Sequence, residues 1–239
     1  MNVVVAGELP LVEELTEICA NAGHITTAYL VEDFYSAVQS GYLFEQSSSV
    51  DVVMELHNES AAAKQELLYA LANAISDDSL IITSAIATST TQAAAWVSNP
   101  ERVIGIGLIP PVKGGDMAEL AMALQSSERS LDAAKEFCQS IDLVPIVVSD
   151  GAGLVRARIV GCLINEAISA LMEGVASAED IDLAMKLGTR YPFGPLEWAD
   201  LIGLDTVLGI MNGLFNEWGD DRYRPAPIAA ANGGCRAAW

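Results

Sequence analysis

The first part of the chain alternates short apolar runs with helically spaced segments. Val3-Val4-Val5-Ala6 stops at Gly7, and Leu11 to Ala22 then carries apolar residues at helical spacing. Ile25 to Leu30 predicts a second strand, Val50 to Leu56 (VDVVMEL) another, and Ala61 to Ile75 an amphipathic helix ending at Ser76-Asp77-Asp78. Leu80 to Thr83 and Val103 to Leu108 add strands, Pro145 to Val148 adds a late edge, and Leu120 to Ile141 reads as one or two helices. Strands alternating with helices of about 10–15 residues predict a parallel, doubly wound α/β sheet.

The pattern changes after Asp150. In Leu154 to Gly174, β-branched residues leave helix and strand propensities in competition, and length decides for helix. This helix is apolar around most of its circumference, so it needs burial on more than one face, which predicts a homodimer. Ser177 precedes Glu179 and Asp180, as an N-cap precedes a first acidic turn, and opens a helix that ends near Gly188. Pro192 to Pro195 is a turn, and Leu196 to Trp218 is again helical in spacing. The aromatic set Tyr191, Phe193, Trp198, Phe215 and Trp218 reads as core and dimer contact. Two domains follow, 1–149 with the sheet and 150–239 all-helical.

Composition narrows the function classes. The 239 residues are 51% apolar and carry 32 acidic against 12 basic side chains, a net charge of −20. That hydrophobicity excludes intrinsic disorder, and the charge supplies no basic footprint for nucleic acid. No apolar run approaches the roughly 18–20 uncharged residues of a membrane span. The start of the chain lacks the basic stretch of a signal peptide. Cys19, Cys138, Cys162 and Cys235 are widely spaced and accompanied by only 2 histidines, which argues against a metal site and for reduced thiols in a cytoplasmic protein. Residues 1–149 hold 20 acids and 5 bases, and from Met1 to Ala63 there are ten carboxylates and no Lys or Arg. That is a poor setting for an anionic cofactor.

GTRYPFGPLEWADLIGLDTVLGIMNGLFNEWGDDRYRPAP (Gly188 to Pro227) carries the long pattern G-x-x-x-P-x-G-P-x-E-x-x-D-x-x-G-L-D. It closely resembles the C-terminal domain of the 3-hydroxyacyl-CoA dehydrogenases of fatty-acid oxidation. Asp150-Gly-Ala-Gly-Leu-Val, the run from Asn165 to Asp182, Asp51 to Glu59, Asn99 to Gly105 and Met117-Ala118-Glu119 fit the same family in order. The resemblance implies a Rossmann domain that binds NAD(H), followed by a helical domain that dimerises and closes a cleft for an acyl-CoA. It implies oxidation of a 3-hydroxyacyl thioester to the 3-keto form with hydride passing to NAD+. A His would act as general base, oriented by a Glu, with a Ser and an Asn as hydrogen-bonding partners.

Most of those parts are replaced. Gly7 stands at the first glycine of the phosphate-binding turn, while Leu9 and Val12 stand at the second and third, where backbone approach and close helix packing are needed. Glu8, Glu13 and Glu14 add carboxylates there, and Leu30 takes the place of the ribose-binding Asp, with Glu32 displaced by two residues. Gly107 occupies the catalytic His position in Gly105 to Pro111, and Pro110 replaces the Asn of the same motif. Ala87 stands for the Ser, with Thr88 as a stand-in, and Ala157 for the second Asn. Glu119, the orienting carboxylate, survives. Only about twenty residues separate Val31 from Val50, too few for the family's acyl-CoA-binding hairpin.

Other readings stay open. His57 would sit at the C-terminal edge of the sheet, where such folds bind ligands, and is a candidate replacement base beside the commoner role of a loop histidine. Glu55 and Glu59 match family positions near the nicotinamide, although a solvated acidic loop explains them too. Arg156 and Arg158 would reach a CoA phosphate or form an interhelical salt bridge. The sequence therefore predicts a 3-hydroxyacyl-CoA dehydrogenase-like protein, a pseudoenzyme whose NAD-dependent oxidation is lost or strongly reduced. The alternative is an active, divergent NAD-dependent dehydrogenase of fatty-acid metabolism.

Overall fold

The computed structural model describes residues 1–40 and 50–227, with side chains through Ser36 in the first stretch. Residues 41–49, Cys235 and the C-terminal finish lie outside the described residues. The strands are β1 (Asn2–Gly7), β2 (Ile25–Leu30), β3 (Val52–Leu56), β4 (Leu80–Ser84), β5 (Val103–Gly107), β6 (Met117–Met122) and β7 (Val144–Val148). They form one sheet in the order β2-β1-β3-β4-β5-β6-β7. Helices α1 (Leu11–Asn21), α2 (Val31–Ser40), α3 (Ala61–Ala74), α4 (Thr90–Ala94) and α5 (Glu128–Ser140) connect them. Since β1 lies between β2 and β3, the strand order reverses at β1, and the carboxyl ends of β1 and β3 border the crevice where doubly wound sheets bind ligands.

Two expectations change. Leu120 to Ile141 is not helical throughout: it begins in β6, and the helix starts only after Ser127, whose hydroxyl accepts the Ser130 N–H. Nor is the sheet wholly parallel, because β6 runs antiparallel to β5 and carries β7 parallel to itself. The reason lies across the ladder. Gly105 and Gly107 of β5 face Ala121 and Glu119 of β6, and this buried pairing outweighs the helix propensity of Met-Ala-Glu-Leu-Ala-Met.

After β7 come α6 (Arg156–Met172), α7 (Ala178–Thr189), α8 (Pro195–Ile202) and α9 (Leu204–Trp218). Ser177 caps α7 as its spacing predicts, accepting the Asp180 N–H at 3.2 Å. The predicted Leu196–Trp218 helix is two helices bent by 100° at Gly203, whose φ of +92° glycine adopts readily. Among the described residues no single helix is long and apolar enough to cross a membrane. Cys19, Cys138 and Cys162 are free thiols, and burial pushes Cys19 up to about 11 and Cys138 up to about 12.

Several contacts join the halves, and two of them fix how they meet. Asp150 accepts the Thr90 and Thr91 N–H groups at 2.7 and 2.8 Å, capping α4 from the start of the helical region. On the other side α9 lies flush on the loops that leave β3 and β4. A Cβ at Gly209 would overlap the Asn58 carbonyl oxygen, and one at Gly213 the Ala87 carbonyl oxygen. Gly213→Ala should therefore overpack this junction and destabilise the protein by about 1–3 kcal/mol. Chemical denaturation checks this, and an unchanged midpoint would refute the contact.

Candidate active site

The crevice between β1 and β3 is filled by the chain itself. Glu55, completely buried on β3, accepts from Lys64 Nζ at 2.5 Å, from the Thr83 hydroxyl at 2.6 Å and from the His57 N–H at 2.7 Å. Lys64, only 1% exposed on α3, also donates to the His57 carbonyl oxygen at 2.9 Å. The loop 56–60 is thus held at both ends of His57. From the β1 side, Glu8 Oε1 accepts the Asn58 N–H at 2.7 Å, and Oε2 lies 2.5 Å from Nδ1 of His57. On the other side of the ring, Nε2 of His57 accepts the Ser60 N–H at 3.2 Å. Burial disfavours the charged imidazole, but the bond to Glu8 and the charges of Glu8 and Glu55 outweigh it and hold His57 above its ordinary value.

These facts correct two readings. Glu55 does not face a nicotinamide, because every contact of its carboxylate points into the protein. His57 is not placed as a replacement base, since both ring nitrogens are engaged and the residue is 6% exposed. His24 sits at the opposite edge, near the N-terminal amine and Ser140.

The crevice does not fit a pyrophosphate. Gly7 serves a close approach to Leu56, where a Cβ would lie 2.7 Å from the Leu56 carbonyl carbon. Leu9 is half-exposed at the turn, and Val12 packs into the sheet core instead of facing a ligand. Pro10, at the α1 N-cap, has no N–H to offer. The Val12 N–H goes to the Glu8 carbonyl, and the Glu8 carboxylate adds a negative charge at this helix start, turned to Asn58 and His57. Glu14 is turned to the Val112 N–H at 3.0 Å. At the end of β2, Leu30 is partly exposed, and the acids nearby, Glu32 and Asp33, are exposed on the first turn of α2.

Gly107 and Glu119 are brought together as the family motif implies. They are partners across β5 and β6, and a Cβ on Gly107 would lie 2.7 Å from Glu119 Oε2 and 2.9 Å from Leu154 Cδ1. Glu119 is 2% exposed and accepts the Arg156 N–H at 3.2 Å. Burial raises its carboxyl above the ordinary value, against the lowering bonds from Arg156 and Val155. Ala157 is buried in the helical core, and Ala87 and Thr88 lie on the loop between β4 and α4. Among the described residues Arg158 forms no interhelical salt bridge: its guanidinium stacks over the rings of Trp218 and Tyr223 and donates to the Tyr223 hydroxyl.

Between this loop, the 56–60 loop and α9 lies a cavity of about 410 Å³, bordered by Ala87, Thr88, Asn58, Glu59, Asn212 and Asn216 among others. Glu59 is thus the one predicted cofactor contact that reaches open space. Asn58 and the polar face of α9 are absent from the sequence reading. Two asparagines four apart, Asn212 and Asn216, with Glu217 beside them in a mostly apolar helix, are the signal that could have found that face.

Comparison with known proteins agrees with this architecture. The 3-hydroxyacyl-CoA dehydrogenase NAD binding domain matches residues 9–151 and the 3-hydroxyacyl-CoA dehydrogenase C-terminal domain matches residues 153–231. The chain is 36% identical over 198 residues to a 3-hydroxybutyryl-CoA dehydrogenase of Clostridioides difficile, covering 83% of this chain and 70% of that one. It is 34% identical to a probable 3-hydroxybutyryl-CoA dehydrogenase of Bacillus subtilis, with 83% and 69% covered. The crystal structure of (S)-3-hydroxybutyryl-CoA dehydrogenase from Ralstonia eutropha superposes with a TM-score of 0.74 at 28% identity, over 97% of this chain and 93% of that one.

Removing one partner of the sealed pair, as in Lys64→Met, should cost about 3–5 kcal/mol of stability, read by denaturant titration. A loss within error would show that the pair is not isolated from solvent. The His57–Glu8 pair should contribute stability in full below the ordinary histidine value of 6.5 and lose it as pH rises through the raised folded-state value. In Glu8→Gln, NMR titration should find His57 protonating at lower pH than in the parent; an unchanged value would separate Glu8 from the shift.

Proposed function

Because this chain belongs to the 3-hydroxyacyl-CoA dehydrogenase family, we propose that it keeps the family's scaffold while its NAD-dependent oxidation of 3-hydroxyacyl-CoA is lost or strongly reduced. The observation that carries this reading is the closed ground at Gly107. A base there would need room that Glu119 and Leu154 already occupy. Glu119 is committed to the first turn of α6, and Ala87 and Ala157 supply no hydrogen bond. The family's N-terminal domain is an NAD-binding one, but here Glu8 stands in the crevice.

The reading extends to a cytoplasmic homodimer with an acyl-CoA as possible ligand. Apolar side chains exposed on α7 and the segment before it, Val175, Leu183 and Leu187, support the dimer. Free buried thiols suit a reducing compartment. The alternative of an active dehydrogenase draws its support from family membership.

Calorimetric titration with NADH and with acetoacetyl-CoA, paired with a turnover assay beside the Clostridioides difficile relative, tests the proposal. Loss of a positioned base predicts turnover lower by about 10²–10⁴-fold. No saturable NADH binding is expected below millimolar concentration. Micromolar NADH binding accompanied by turnover within tenfold of the relative would overturn it.

A further inference from the structure

The hydrogen bonds around the His57 imidazole suit only one of its protonation states. A backbone N–H can only donate, so Nε2, which accepts the Ser60 N–H at 3.2 Å, carries no proton in this arrangement. The one proton of the neutral ring then sits at Nδ1, 2.5 Å from Oε2 of Glu8. A second proton can enter only at Nε2. There it would point at the Ser60 N–H, donor against donor, and that bond has to break.

The surroundings favour that second proton. Burial of the ring opposes it, but the contact with Glu8 and the charges of Glu8 and Glu55 outweigh both burial and Lys64. Glu59 on the same loop also feels His57, and Asp205 at the start of α9 acts on Glu59. Of these groups only Lys64 is a cation, and it is sealed to Glu55. What yields is Ser60. The His57 N–H and carbonyl are tied to Glu55 and Lys64, and the Asn58 N–H to Glu8, so the ring stays where it is. Ser60 is exposed, and water can take its N–H once the ring lets go. Ser60 is also the N-cap of α3: its hydroxyl accepts the Ala63 N–H at 3.4 Å and its carbonyl the Lys64 N–H at 2.9 Å. Its neighbours Glu59 and Ala61 both border the cavity beside α9.

We propose that His57 and Ser60 form a proton-controlled latch at the entry to α3. Neutral His57 holds the Ser60 N–H; once Nε2 takes a proton from solvent, the imidazolium keeps Glu8 and releases Ser60. The stretch from Glu59 to Ala61, and with it one part of the cavity wall, then takes a second position. The latch goes beyond the lost oxidation and does not depend on it.

Solution NMR of the whole chain, labelled with 15N, tests it. At high pH the ring nitrogens of His57 should show the proton on Nδ1 and none on Nε2. As pH falls, the Ser60 amide signal should step with the same midpoint as the His57 ring, and below it the protection of that amide from hydrogen exchange should drop about tenfold. His57→Gln, whose side-chain oxygen accepts but does not titrate, should abolish the step. Glu59→Gln alters an exposed carboxylate, keeps a test open should His57→Gln not fold, and should retain the step at a lower pH. The proposal is overturned by a neutral ring protonated at Nε2, by no ring titration between about pH 5 and pH 9, or by a ring titration that leaves the Ser60 amide unmoved. A step that survives in His57→Gln or vanishes in Glu59→Gln overturns it as well, the latter by assigning the step to Glu59. NADH titration of the same samples bears only on the preceding proposal.

Discussion

One ion pair sealed from solvent governs the ligand edge of this sheet. Lys64 and Glu55 are taken out of water together, and each is satisfied further by the chain around it: Thr83 and the His57 N–H for the acid, the His57 carbonyl for the amine. Such a pair contributes little net stability against an apolar replacement, yet either partner alone is costly. It acts as a fixed geometry. The loop after β3 has no freedom once β3, α3 and β4 are bound through it, and from this fixed loop His57 and Asn58 meet Glu8. The filled crevice is thus a consequence of a buried charge pair several residues away.

The retained Glu119 becomes intelligible in the same way. A carboxylate whose histidine partner is absent would be a burden in a buried site, because desolvation alone penalises it. Here the Arg156 N–H, at the start of the first helix after the sheet, uses it as an acceptor. The side chain that would orient a base instead ties the sheet to the helical region. Its burial there needs no catalytic explanation.

Much of the scaffold was legible in the sequence because it is locally encoded. Val3 to Ala6, Ile25 to Leu30, the capped helix after Ser177 and the long helix around Val160 follow from periodicity, capping and length. β6 was not, because its six residues are stabilised by two glycines on another strand that no local window contains. The Gly203 bend was hidden by apolar spacing that continues through it. At the site, Gly107 facing Glu119 could be anticipated only through the family motif. Glu8 meeting His57 and Asn58 depends on parallel pairing of β1 with β3, which brings together residues about fifty positions apart. Leu9 and Val12, read from the sequence as departures from a glycine turn, differ in placement: Val12 serves the core and Leu9 faces solvent.

The two glycines of α9 bear on how anything enters or leaves. With Gly209 and Gly213 seated directly on the carbonyls of Asn58 and Ala87, the helix has no layer of side chains over which to slide. Shear between the halves would have to break van der Waals contact at both glycines, which opposes sliding. Exchange at the cavity is then left to side-chain rotation at its mouth. Such rotations run in picoseconds to nanoseconds, far faster than domain closure. Residence there is then set by the strength of the bonds made inside.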